Sequence, residues 1–184
     1  MPQSRIFRLS TYPFHEAESI LFDANIWLYL YPPPSGAHNL PAAYSSGFKR
    51  ALAAKSKIVL DVLVLSEYLN AYTRKEWADS QDDSGLRTTF KQFRSSALYL
   101  EKVGPTAAYF AKKMLTHAEL TGVTLDRRSA DAALAAFQLG ELDSNDAILA
   151  ELCRENDWRL VTHDGDFRHV DIDVLSENPK LLRS

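Results

Sequence analysis

The sequence predicts a three-layer α/β/α domain around a central, mostly parallel sheet. Short, uninterrupted runs of aliphatic and β-branched residues recur along the chain, as strands buried on both faces tend to. Helical periods separate those runs, and strands alternating with helices argue for a parallel sheet covered on both sides. At 184 residues with 46% hydrophobic content, the chain suits one domain with a sizeable core.

Ser19-Ile20-Leu21-Phe22 is the first expected strand. It is ended by Asp23, and a short helix through Asn25-Ile26-Trp27-Leu28 follows. Pro32-Pro33-Pro34 marks a stiff loop. Leu40, Ala43, Tyr44, Gly47 and Ala51 share a helix face and lead into a second strand, Lys57-Ile58-Val59-Leu60. Val62, Leu65, Leu69 and Tyr72 line the next helix. Residues 79–104 read as an inserted helical hairpin, made of a polar turn (DSQDDSG) and one amphipathic helix. Gly122-Val123-Thr124-Leu125 is the expected third strand, followed by helical periods at Ala130, Leu134, Phe137 and at Leu149, Leu152, Cys153. Arg159-Leu160-Val161-Thr162 is the fourth strand, and Ile172 to Leu175 a weak fifth. The whole chain, 1–184, then forms a single domain with its core over about 18–176.

Composition removes several function classes. A net charge of −3 excludes holding nucleic acid by bulk positive charge, though not by a local basic patch. A single cysteine, Cys153, excludes an intramolecular disulfide and a cysteine-built zinc site. The five histidines include no HxxxH pair, and His163 and His169 are too loosely spaced to argue for zinc. There is no apolar run of membrane-spanning length and no apolar leader, so a cytoplasmic protein with no membrane partner is expected. GxGxxG, GxxxxGK[ST] and GxSxG are all absent, which sets aside dinucleotide, P-loop and nucleophile-elbow chemistry.

The carboxylates stand out by placement. Asp23 follows the first strand, where it reads as a helix N-cap or as an acid at the strand's C-terminal end, the edge where open α/β sheets bind ligands. Glu67 lies in the helix after the second strand with Leu63 and Ala71 one turn away. In Asp143-Ser144-Asn145-Asp146, Asp143 reads as an N-cap and Asp146 as the third helical residue, yet Asp146 shares a face with Leu149, Ala150 and Cys153. An ionised Asp directed inward needs a partner, and a cation would serve. Asp164 and Asp166 follow the fourth strand in Thr162-His163-Asp164-Gly165-Asp166, which is also ordinary turn chemistry. Converging on one edge, such acids would repel by roughly 4 kcal/mol per pair at about 4 Å, so a bound Mg²⁺ or Mn²⁺ is the natural compensation.

The strings ILFDANIWL (20–28), VLVLSEYLNAY (62–72), LDSNDAILAELC (142–153) and LVTHDGDF (160–167) together resemble the PIN-domain family of metal-dependent nucleases. The resemblance implies an acidic, metal-holding quartet of Asp23, Glu67, Asp146 and Asp164. Asp166 would be an auxiliary acid, Thr162 the orienting hydroxyl and Asn25 a polar helper, with Asp143 alongside. It further implies a phosphodiesterase that cleaves single-stranded RNA. Many small bacterial members resemble VapC toxins, so an antitoxin protein and a second copy of the chain are the implied partners. The alternative is a PIN-fold module that binds RNA or protein without catalysis. Arg87, Lys91 and Arg94, spaced i, i+4, i+7 opposite Phe90, Phe93 and Ala97, read as a phosphate-contacting stripe, with Arg127 and Arg128 as further contacts; a merely solvated face is the plainer reading.

Overall fold

A computed structural model describes residues 5–16, 18–36, 40–84, 87–122 and 124–183. Its centre is three strands with completely enclosed apolar residues: β2 (Ser19–Phe22), β3 (Lys57–Asp61) and β5 (Arg159–Val161). Ile20, Leu21, Phe22, Val59, Leu60, Leu160 and Val161 have no exposed surface, which explains why these segments show no polar alternation. β6 (Asp173–Ser176) flanks β5. Two strands close the edges, β1 (Arg5–Arg8) and β4 (Glu119–Thr121). Among the described residues the sheet is wholly parallel, in the order β1-β6-β5-β2-β3-β4. The chain moves outward from β2 through β3 to β4, then crosses back to β5 on the other side of β2. The crevice between β2 and β5 is therefore the topological switch point, where parallel sheets open toward ligands.

The two edge strands correct the sequence reading. β1 was not foreseen, and it pairs Arg5–Arg8 with Asp173–Ser176, with Arg5 Nε 2.7 Å from Asp173. The third strand was expected at Gly122–Leu125 but lies at Glu119–Thr121, in register with Val59–Asp61; Val123 is outside the described residues. Edge strands face solvent and carry no continuous apolar run.

The leader is strapped down. A single 3₁₀ turn, Leu9–Thr11, buries Leu9 completely against Gly47 of α2 (Ala43–Ala53). A Cβ on Gly47 would meet the Leu9 side chain at 3.0 Å, tight enough that Leu9 would have to shift by a few tenths of an ångström. Arg50 on the same helix donates to the carbonyls of Leu9 and Tyr12, and Tyr12 donates to the buried Glu18 at 2.8 Å.

α1 (Ala24–Leu30) follows β2 and buries Ile26 and Trp27, whose ring packs with Phe22 and Phe48. α3 (Val62–Ser84) turns Val64, Tyr68 and Tyr72 inward, whereas Val62, expected on that face, is half exposed. α3 also runs through the segment expected to be a polar turn. Among the described residues the 79–104 region ends α3, adds a one-turn helix α4 (Phe90–Phe93), and enters a π-helical segment, Tyr99–Val103, continuous with α5 (Gly104–Leu115). α6 (Arg127–Gln138) packs on α7 (Ser144–Asn156) rather than on the sheet. Its buried positions are Ser129 and Ala133, so Leu134 and Phe137, expected inside, stand 64% and 52% exposed. A one-turn helix, α8 (Pro179–Leu182), closes the chain.

Candidate active site

Four acids reach the C-terminal edge of the sheet from different elements. Asp23 follows β2 at the N-cap position of α1, yet its side chain makes no capping hydrogen bond. The carboxylate turns across the switch point instead. Its Oδ2 accepts from the Thr162 hydroxyl at 2.6 Å and from Asn25 Nδ2 at 2.5 Å. Thr162, wholly buried after β5, also receives Asn25 Nδ2 at 3.1 Å and the Asp164 backbone N–H at 3.0 Å. Asp23, Asn25 and Thr162 thus form a closed polar triangle that joins the ends of the two central strands and fixes the Asp23 carboxylate.

Asp164 stands two residues beyond Thr162, and its Oδ1 accepts from Asp166 N at 2.9 Å. Asp143 caps α7, accepting from the N–H groups of Asn145 and Asp146 at 2.8 and 2.9 Å. The capping reading of that segment is therefore correct, and it places Asp146 in the first turn, half-buried and facing the other acids. Glu67 comes from the first half of α3 and is hydrogen-bonded by the Asn145 side chain.

These acids act on one another. Burial pushes the Asp23 carboxyl up to about 6; the Thr162 hydroxyl offsets part of that, and Asp164 adds a smaller repulsion. Glu67 is pushed up to about 7 by burial, then by the charges of Asp23 and Asp143. Asp146 is pushed furthest, to about 8, by burial and by the charges of Asp143, Asp23, Asp164 and Glu67. Among the described residues no Lys, Arg or His forms an ion pair with any of the four. Among the described residues no three of the side chains close around one cation position. An all-oxygen donor set, partly buried, mutually repelling and without a protein cation, is the chemistry that suits a hard divalent ion.

Other expected site residues are placed differently. Asp166 is exposed and opens onto a separate groove beside Leu142, Ala147 and His169. The basic stripe does not exist as one helix face. Arg87 precedes α4, Lys91 is within its single turn, and the Arg94 guanidinium lies 5.6 Å over the Phe90 ring. Ala97, expected to dock, is exposed. Arg127 pairs with Asp131 one turn along its own helix, and Arg128 lies beside Asp126. Residues that the sequence reading passed over also reach this edge: Asn145, Tyr44, Ser176, Asn178 and Lys180. Asn145 alone had a visible signal, its place between Asp143 and Asp146. The others arrive from distant segments.

A PIN domain family model matches residues 20–173. In fold, the chain is similar to a chain in the crystal structure of VapBC2 from Rickettsia felis bound to a DNA fragment from their promoter. That likeness has a TM-score of 0.57 at 15% identity, covering 86% of this chain and 98% of the other. No match to the chain is found among curated proteins.

Proposed function

We propose that this chain, which belongs to the PIN-domain family, is a divalent-metal-dependent endoribonuclease that hydrolyses phosphodiester bonds of single-stranded RNA. The observation that carries the reading is the convergence of Asp23, Glu67, Asp146 and Asp164 at the switch point, one buried and three half-buried, with no protein cation. A bound Mg²⁺ or Mn²⁺ would there neutralise charge on the scissile phosphate and ease deprotonation of the attacking water.

The chain's own residues prepare that chemistry. Thr162 and Asn25 hold the Asp23 carboxylate in one orientation, so that its free oxygen is set before the cation arrives. Asp164 is fixed by the hydrogen bonds between its backbone and Thr162 and between its carboxylate and Asp166 N. Glu67, braced by Asn145, and Asp146 complete the donor set and would align the nucleophilic water. Burial first, and then their mutual repulsion, favour the protonated forms of both, so cation binding would be coupled to loss of those protons.

The finer form of this reading is a toxin that acts in the cytoplasm and is held by an antitoxin protein, with a second copy of the chain as a further partner. The likeness to a VapBC2 chain supports it. Among the described residues no helix is long and apolar enough to cross a membrane. The direct test is incubation with a mixed single-stranded RNA pool in Mn²⁺ and in EDTA. Cleavage in Mn²⁺ that EDTA and Asp164→Asn both abolish is expected. An intact pool in Mn²⁺ would overturn the proposal.

A further inference from the structure

Beside the acid cluster a cavity of about 330 Å³ opens, lined by Asn25, His163, Asp164, Gly165, Asn178 and Lys180, with Leu40 as its one aliphatic side chain. Asp164 belongs to both places, so a strand lying across the acids runs into this cavity. Its lining carries both signs of charge. Besides the Asp164 carboxylate it includes Lys180, whose ammonium has no ion pair or hydrogen bond among the described residues. The Lys180 stem lies along Gly165, where a Cβ would meet its Cδ at 3.4 Å and its Cβ at 3.6 Å.

Asn178 is a brace rather than a ligand donor. Its Nδ2 donates to His163 O at 2.6 Å, its Oδ1 accepts from Lys180 N at 2.8 Å, and its own N–H donates to Ser176 Oγ at 3.0 Å. It ties His163 and Lys180 into one wall.

The buried Tyr44 sets the imidazole. Its Oη lies 2.8 Å from His163 Nδ1 and already accepts the Glu177 N–H at 2.9 Å. The Ser176 hydroxyl donates to Thr162 O at 2.7 Å, a closer match to that carbonyl than Tyr44 Oη at 3.2 Å. Ser176 Oγ is also within reach of Tyr44 Oη, at 3.1 Å, but Nδ1 at 2.8 Å is the nearest acceptor for the single Tyr44 proton. That leaves the imidazole neutral with Nε2, across the ring from Tyr44, as its donor.

We propose that this cavity seats the phosphate next to the scissile one on a single-stranded RNA, with the Lys180 ammonium and the His163 Nε2–H as its donors. An ammonium and a neutral N–H together suit a phosphate oxygen pair. Among the described residues no Phe, Tyr or Trp lines the cavity to stack a base. The proposal rests on the nuclease reading above, and its test separates the two.

Cleavage of a ten-nucleotide RNA and of a dinucleoside monophosphate, which has no neighbouring phosphate, is followed in Mn²⁺ for the wild type and Lys180→Gln. On the longer RNA, Lys180→Gln raises KM, and the salt slope of kcat/KM between about 50 and 200 mM flattens by about 0.7, the value of one phosphate contact. The dinucleoside monophosphate is cleaved as by the wild type, and the thermal shift with Mn²⁺ is unchanged. Equal losses on both substrates, or no loss on either, would overturn the subsite and leave the nuclease reading standing. A wild type that cleaves neither substrate would bring down both. For His163, ¹⁵N shifts of the ring report the Nε2–H tautomer in the wild type and its loss in Tyr44→Phe; an Nδ1–H tautomer would refute the donor assigned here.

Discussion

Replacing Asp23 by Asn in metal-free protein is expected to stabilise the fold above neutral pH, although the residue is buried and hydrogen-bonded. The folded Asp23 carboxyl titrates at about 6 against 3.8 for the free group. A group so raised favours folding fully below its unfolded value, and that support is lost as pH rises to the folded value. Above pH 6 the ionised form therefore carries the whole penalty, and 2.2 units amount to about 3 kcal/mol. Asn relieves the charge but weakens the hydrogen bonds from Thr162 and Asn25, which costs about 1 kcal/mol. The net gain of about 2 kcal/mol raises Tm by about 4–8 °C for a domain of this size. Thermal melts of both proteins in EDTA at pH 8 and at pH 4.5 make the assay. The variant should melt higher at pH 8 and lose that advantage at pH 4.5. Saturating Mn²⁺ at pH 8 should invert the order, because only the wild type retains the ligand. A variant that is destabilised equally at both pH values in EDTA would refute the reasoning.

Other consequences are more direct. Mn²⁺ or Mg²⁺ at a hundredfold excess over Kd should stabilise the wild type by about 2.7 kcal/mol, read as a melting shift or by calorimetry. Thr162→Val keeps the shape but removes the hydroxyl that fixes Asp23, so metal affinity or RNA cleavage should fall about 10–100-fold with the fold intact by circular dichroism. Leu9→Ala should cost about 2–5 kcal/mol in denaturant unfolding, because Leu9 is fully enclosed against Gly47. In metal-free wild type, stability should decline from pH 5 to pH 8 as Asp23, Glu67 and Asp146 lose protons that the folded state holds more tightly; a flat profile would contradict their burial.

The central strands were legible because two-sided burial leaves a mark in sequence: Ile20–Phe22 and Ile58–Leu60 have no polar interruption. The edges left no such mark. β1 is Arg-Ile-Phe-Arg and β4 Glu-Leu-Thr, held by backbone ladders and by pairs such as Arg5–Asp173 that only the fold assembles. The misread stretch after residue 79 has a similar cause. α3 continues to Ser84, and Trp77 and Gln81 on it reach across to Thr88, with Trp77 Nε1 donating to the Thr88 carbonyl at 3.0 Å. Local polarity suggested a turn where contacts to a segment beyond the helix support it. On α6 the period was right and the face was wrong, because α7 rather than the sheet covers it through Ser129 and Ala133.

The acids were legible for a different reason. Each sits where the pattern changes, at a strand end or in an early helical turn, and every such position has an ordinary explanation as a cap or turn. The structure separates the two readings by what the side chain does there. Asp143 caps α7 in fact, while Asp23 occupies a cap position and leaves it uncapped, its oxygen committed to Thr162 and Asn25 139 and 2 residues away. A carboxylate that turns from its cap position toward Thr162, is buried, and faces Asp164 without a cation breaks local rules that the rest of the chain obeys. Stability alone gives no reason to keep that arrangement; a ligand that supplies positive charge does.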